Sequence, residues 1–176
     1  MNRTLKEFPW ETVGIIILAG ALLFHQCTPH AHGQDKTALH LAQCLRSETD
    51  KYHGPGNVEW AAHAWVLRKR AVQKGVSLNE MVLQYCAIFD KRSPAYYGQR
   101  ANAIRRSSFS RPLHGKKAEW VLLRKFVWNF LLGDVIKDPC PSAMHFGTES
   151  DVGGKALVEV CKWLGKRGNK FFRVGG

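Results

Sequence analysis

The chain has 176 residues, of which 45% are apolar, and it contains six tryptophans. This composition excludes a disordered chain, and the length suits one domain with a substantial core. Its 26 Lys and Arg residues outnumber its 14 Asp and Glu residues, which gives a formal charge of +12. Such an excess bears on partners, and it suits a polyanion: nucleic acid, an anionic membrane surface or an acidic cell wall.

The first 35 residues differ from the rest of the chain. An apolar run at residues 13–24 follows two basic residues, Arg3 and Lys6. This run is short against the roughly 20 residues that a spanning helix needs, and glycine and alanine dilute it. We expect a signal peptide or weak membrane anchor plus a polar linker in residues 1–35, and hence export. A buried core helix is the alternative interpretation.

The next three predicted elements are helices at about 36–49, 57–74 and 78–88. In the first, Leu41 and Leu45 share a face, and continuing their spacing leads to Glu48. The turn "HGPGN" ends this helix, and Gly75 ends the second. Ser77 and Glu80 form the S-x-x-E pattern of a capping box, which introduces the third.

The second half is predicted to be helical as well. A basic, turn-rich stretch at 89–116 contains one short helix near 98–107. A helix at 117–132 is apolar nearly all round, so we expect it to be central. A loop with two prolines leads to a last helix near 154–165, and Phe171–Phe172 form a short strand. The sequence therefore predicts a mainly α fold, with a single helical domain in residues 36–176.

Five cysteines raise the question of disulfides or metal. Cys27 lies beside the apolar run, and the remaining four can form two bridges in three ways. Bridges are expected in an oxidising compartment, and free buried thiols are the alternative. No C-x-x-C or H-E-x-x-H pattern occurs, so we expect neither a metal nor another cofactor. The four candidate bridging cysteines are Cys44, Cys86, Cys140 and Cys161.

Glu48 is the candidate catalytic residue. A carboxylic acid among apolar side chains loses hydration of its charged form, so its pKa is expected to rise. A general acid that protonates a glycosidic oxygen near neutral pH needs such a shift. The ordinary alternative is a solvent-facing glutamate, or one that is paired with Arg46 or Lys51.

Residues 36–150 resemble the spore-cortex-lytic family of cell-wall hydrolases. In that family a helix ends in the catalytic glutamate, a glycine turn follows, and an Ala/Val-rich helix comes next, as in "LHLAQCLRSETD…GNVEWAAHAWVLRKR". "VLQYCAIF" at 82–89 is similar to the following segment, and "KDPCPSAMHF" is similar to the family's Asp-Pro-x-x-Gly-Ala-x-x-Phe loop. Ser142 replaces the loop glycine. The resemblance implies a lysozyme-like fold and a muralytic enzyme.

The resemblance also implies a mechanism. Glu48 would protonate the oxygen between N-acetylmuramic acid and N-acetylglucosamine, and its carboxylate would then act as a base. A lytic transglycosylase deprotonates the sugar's own hydroxyl and gives an anhydro product, whereas a hydrolase activates water. An inverting hydrolase needs a second carboxylate about 6.5–9.5 Å away. Asp50, Glu59 and Asp138 are candidates, but none stands out, which favours the transglycosylase.

A glycan needs surfaces on which to stack and groups to which it can hydrogen-bond. The aromatic candidates are Phe89, Tyr96, Tyr97 and Phe146. His145 is a candidate donor to an acetamido group or a peptide carboxylate, and Asp138 belongs to the same loop. The basic runs at 105–111, 116–117 and 165–170 suit anionic peptidoglycan stems and wall polymers. Arginine among aromatic residues also suits single-stranded nucleic acid, which is the alternative partner.

These observations predict an exported enzyme that cleaves peptidoglycan and contacts the membrane through residues 13–24. It would act on the periplasmic side of the inner membrane, anchored or released, or as part of a virion. The N-terminus resembles that of signal-anchor-release phage endolysins. The competing hypothesis is a basic, membrane-anchored protein without enzymatic activity, which binds nucleic acid or an assembly partner.

Overall fold

A computed structural model describes residues 35–49, 58–133, 136–147, 157–164 and 169–175. The predictions for the apolar run at 13–24, the linker, Cys27 and Asp50 lie outside these residues. No helix in the described part of the chain is both long enough and apolar enough to cross a membrane.

The described chain is mainly helical, as predicted, and its helices follow the predicted order. The predicted helix near 98–107 is preceded by one further short helical turn. The helices are α1 at 35–48, α2 at Val58–Lys74, α3 at Leu78–Tyr85, α4 at Pro94–Tyr97, α5 at Gln99–Arg106 and α6 at Lys117–Leu132.

Local signals account for the ends of α2 and α3. Gly75 follows α2 with φ +64°, a conformation that glycine adopts at no steric cost. The capping box at the start of α3 is present, because the Ser77 and Glu80 side chains each accept the other's backbone N–H. Helix α3 ends at Tyr85, three residues earlier than predicted, because Cys86 takes an extended conformation.

A three-stranded antiparallel sheet follows the helices, and the predicted helix near 154–165 is wrong. The strands are β1 at His145–Gly147, β2 at Leu157–Val160 and β3 at Lys170–Val174, in the order β1-β3-β2. Strand β3 contains the predicted strand at Phe171–Phe172, and Phe171 pairs with both Phe146 and Val160. The valines of β2 have branched side chains that favour the strand conformation, and β3 offers them a partner.

Helix α6 is not surrounded by protein, although its sequence is apolar nearly all round. One face is buried, through Trp120, Leu123, Val127 and Phe130. Val121 and Leu132 are exposed on the other side. The prediction of a central helix is therefore wrong, since apolar residues also occur singly on protein surfaces.

Two disulfides realise one of the three possible pairings. Cys44 of α1 is bonded to Cys86 after α3, across 42 residues. Cys140 is bonded to Cys161, which follows β2, across 21 residues. The first disulfide ties the helix that carries Glu48 to the end of α3, and the second ties the 136–147 segment to the sheet.

Candidate active site

Glu48 is the last residue of α1 and is half-buried. A carboxylate oxygen of Glu48 and the sulfur atoms of Cys44 and Cys86 all lie within 4.8 Å of one another. These sulfurs are joined in a disulfide, so they cannot act as thiolate metal ligands. The disulfide therefore lies directly beside the carboxyl group.

Asn169, directly before β3, is a polar partner of Glu48, and the Ser47 hydroxyl oxygen lies 3.5 Å from Oε1 of the same carboxyl group. Its Nδ2 atom donates to Oε2 of Glu48 at 2.6 Å. The same Nδ2 atom lies 3.5 Å from Nε2 of His63, which makes a second, longer contact. Since the two hydrogens of an amide nitrogen point in different directions, one side chain can serve both neighbours.

His63 fixes the orientation of this amide. It lies in α2 with 2% of its surface exposed, and its Nδ1 atom is 2.7 Å from the backbone oxygen of Glu59. A carbonyl oxygen only accepts, so Nδ1 carries the ring proton and Nε2 is left as an acceptor. Burial lowers the pKa of His63 to about 4, so the ring is neutral at physiological pH. An acceptor at Nε2 requires that Asn169 present its nitrogen rather than its oxygen.

The neutral, buried His63 predicts a pH-dependent stability. Its pKa is about 4 in the folded protein, against an ordinary value of 6.5. Between pH 4 and pH 6.5 the unfolded chain therefore binds a proton at this histidine that the folded protein does not bind. The contribution of His63 to the free energy of unfolding should therefore be fully present above pH 6.5. The free energy of unfolding should fall by up to about 3 kcal/mol as the pH drops to 4. Urea unfolding at several pH values measures this loss.

The matched variants for that measurement are His63→Phe and His114→Gln. The first should flatten the curve between pH 4 and 6.5, whereas the second, at an exposed turn, should leave it unchanged. Equal pH dependence in wild type and His63→Phe would show that another group takes up the proton.

Of the predicted aromatic residues, Phe146 is the one that contacts His63, the neighbour of Asn169. Its ring lies edge-on to His63 with centroids 4.4 Å apart, and Phe171 contacts the same imidazole at 5.0 Å. Both phenylalanines are buried, so they form the apolar surroundings of His63. Strand pairing between β1 and β3 places the two rings there together with Asn169.

Tyr96 and Tyr97 of α4 differ in environment. Tyr96 is half-buried, with the Arg105 guanidinium 3.9 Å from its ring centroid. Tyr97 is 69% exposed, and its ring contacts that of Tyr96 at 5.1 Å. Tyr97 therefore offers the accessible aromatic face, and Tyr96 supports it.

The remaining predicted residues make contacts elsewhere in the fold. Phe89 packs against the His40 ring, with centroids 5.5 Å apart. A guanidinium nitrogen of Arg70 donates to Nδ1 of His145 at 2.7 Å, which makes that histidine nitrogen an acceptor.

Asp138 has both carboxylate oxygens engaged. One accepts from Nζ of Lys69 at 2.9 Å, and the other accepts the backbone N–H of Cys140 at 2.9 Å. Lys69 also donates to the backbone oxygens of Cys140 and Pro141. Asp138 therefore organises the proline-rich loop.

Sequence reasoning missed Asn169 and His63. Asn169 lies 121 residues from Glu48, in the basic run at 165–170 that is predicted to contact wall polymers, and no local pattern signals so distant a contact. His63 did carry a signal, because the sequence places it between the apolar residues Ala62 and Ala64 of a predicted helix. No family model, no curated protein and no solved structure matches this chain.

Proposed function

We propose that this protein cleaves the glycan strand of peptidoglycan, with Glu48 as the acid/base. The observation that carries the proposal is the half-buried Glu48 at a helix end, held by the Asn169 amide at 2.6 Å and bounded by a disulfide. A carboxyl group that is oriented and partly withdrawn from water is suited to general acid–base catalysis.

The Asn169 contact assigns different tasks to the two oxygens of Glu48. Oε2 accepts the amide N–H, and Oε1, which lies 3.5 Å from the Ser47 hydroxyl oxygen, would carry the proton for the leaving group. Transfer of that proton to the glycosidic oxygen leaves a carboxylate, which the same N–H stabilises as a charge-assisted hydrogen bond. The carboxylate then accepts a proton from the incoming hydroxyl group.

We favour a lytic transglycosylase over a hydrolase. Asp138, a candidate for the second carboxylate, is paired with Lys69 at 2.9 Å. The transglycosylase needs one acid/base residue, because the attacking hydroxyl group belongs to the muramic acid itself. The product would be an anhydro sugar rather than a reducing end.

The proposed setting is outside the cytoplasm, at the inner membrane or in a virion that opens the wall. The +12 charge suits an anionic wall, and the two disulfides suit an oxidising compartment. The lysozyme-like fold that the sequence resemblance implies belongs to the same proposal.

Product analysis tests the proposed reaction. Purified protein is incubated with isolated sacculi, and the soluble muropeptides are identified by mass spectrometry. We expect muropeptides that end in anhydro-N-acetylmuramic acid. Reducing ends would instead indicate a hydrolase, and release of no soluble muropeptide would contradict glycan cleavage and leave the non-enzymatic hypothesis.

A further inference from the structure

A cavity of about 270 Å³ lies between the end of α1 and α5, and we call it the α1–α5 cavity. Ser47, the residue directly before Glu48, forms part of its wall, so the cavity begins next to the candidate acid. Its other lining residues include Ile88, Ala95, Arg100, Ala101 and Ile104.

Arg105 holds the walls of this cavity in place. Its guanidinium donates to the backbone oxygens of Ile88 and Tyr96, at 2.5 and 2.8 Å, and to the Asn102 side chain. These bonds tie the turn after α3 to helices α4 and α5. The cavity is therefore formed before any ligand arrives, which reduces the entropy lost on binding.

The lining combines small apolar side chains with one cation. Ile88, Ala101 and Ile104 are buried and present methyl groups, whereas Arg100 is exposed at the rim. A volume of about 270 Å³ is just below the range of about 300–1,000 Å³ that is typical of ligand pockets. A group of dipeptide size fits these limits better than a disaccharide does.

Ser47 adds one directional polar group. Its hydroxyl donates to the backbone oxygen of Cys44 at 2.7 Å, and its oxygen lies 3.5 Å from Oε1 of Glu48, a much longer contact. A hydroxyl group has only one hydrogen to donate, so the lone pairs of this oxygen are suited to accept an N–H from a ligand. The cavity thus presents an acceptor near Glu48, an apolar floor and a cation at the rim.

We propose that the α1–α5 cavity binds the first two residues of the peptide stem attached to N-acetylmuramic acid. The stem begins on the sugar whose bond is cleaved, so it must leave the glycan close to Glu48. Its first residues supply an amide N–H for Ser47, methyl groups for the apolar floor and a carboxylate for Arg100. This inference rests on the proposed function, and it makes Arg100 a specificity-determining residue.

A binding experiment tests the cavity without requiring glycan cleavage. The probe is N-acetylmuramyl-L-alanyl-D-glutamate blocked as its γ-methylamide, and the comparison compound also carries an amide at the α-carboxyl group. Calorimetry on the full chain should show about tenfold tighter binding of the carboxylate form, because a charge-assisted hydrogen bond to arginine is lost in the amide.

Two arginine variants of the same helix complete the experiment. Arg100→Gln should bind both compounds equally, whereas Arg106→Gln should retain the preference, because Arg106 does not line the cavity. Equal binding of the two compounds by wild type, a preference retained in Arg100→Gln, or no binding of either compound would overturn the proposal. Preferential binding without cleavage of sacculi would support the subsite and reject the glycan-cleaving function, so the two failures are distinguishable.

Discussion

Replacement of Glu48 by glutamine should lower the rate of peptidoglycan cleavage by about a thousandfold, within the range typical of lost acid–base catalysis. The amide keeps the size of the side chain but cannot supply a proton to the glycosidic oxygen. The measurement is the loss of turbidity of outer-membrane-permeabilised cells, with circular dichroism to verify that the variant is folded.

Glu159→Gln is the matched control for this experiment. Glu159 lies on β2 and pairs with Lys170 at 3.4 Å, so the substitution removes one carboxylate that is not a partner of Asn169 in its contact with Glu48. It should retain full activity. Lysis that persists undiminished in Glu48→Gln would place the chemistry at another residue.

Replacement of Glu119 by glutamine should destabilise the fold by about 3–5 kcal/mol. Glu119 of α6 forms an ion pair with Arg46 of α1, with 2.8 Å between Oε1 and Nε, and both side chains are at least 92% buried. The substitution leaves the Arg46 charge in the interior without its counter-charge, which is the costly way to break a buried ion pair. Urea unfolding at neutral pH measures the effect.

A double variant separates the loss of the pair from the loss of one partner. Arg46→Met combined with Glu119→Leu replaces both charges by apolar groups, so its stability should return close to that of the wild type. Lys116→Ala, which removes a half-exposed lysine 3.9 Å from Glu119, should change the stability by less than about 1 kcal/mol. A Glu119→Gln protein as stable as the wild type would show that Arg46 finds another partner.

Much of the helical part of the fold is predictable from local sequence. The capping box at Ser77 and the glycine after α2 mark helix ends, because their side chains or φ angles act within a few residues. Strand β2 is not predictable from local sequence. Its four residues are too few for a reliable period, and what stabilises the strand is pairing with β3, which begins ten residues later.

The candidate site likewise combines a residue that local sequence indicates with one that it does not. Glu48 is recognisable because its spacing from Leu45 is a local property of α1. Its partner Asn169 is recognisable only in three dimensions, because β3 must first pair with β1 and β2. For Asp138, the loop motif predicts substrate contact, and the structure adds what the sequence does not indicate, namely that Lys69 and the backbone N–H of Cys140 contact its two oxygens.

The central position of β3 has a consequence for how this protein unfolds under heat or denaturant. Strands β1 and β2 both depend on β3, and the residue that steers Glu48 immediately precedes it. Separation of β3 from its two neighbours would disrupt the whole sheet and would also remove Asn169 from Glu48. Heat or denaturant should therefore break the contact between Glu48 and Asn169 as soon as β3 separates from β1 and β2, while the disulfide-linked helices are still intact.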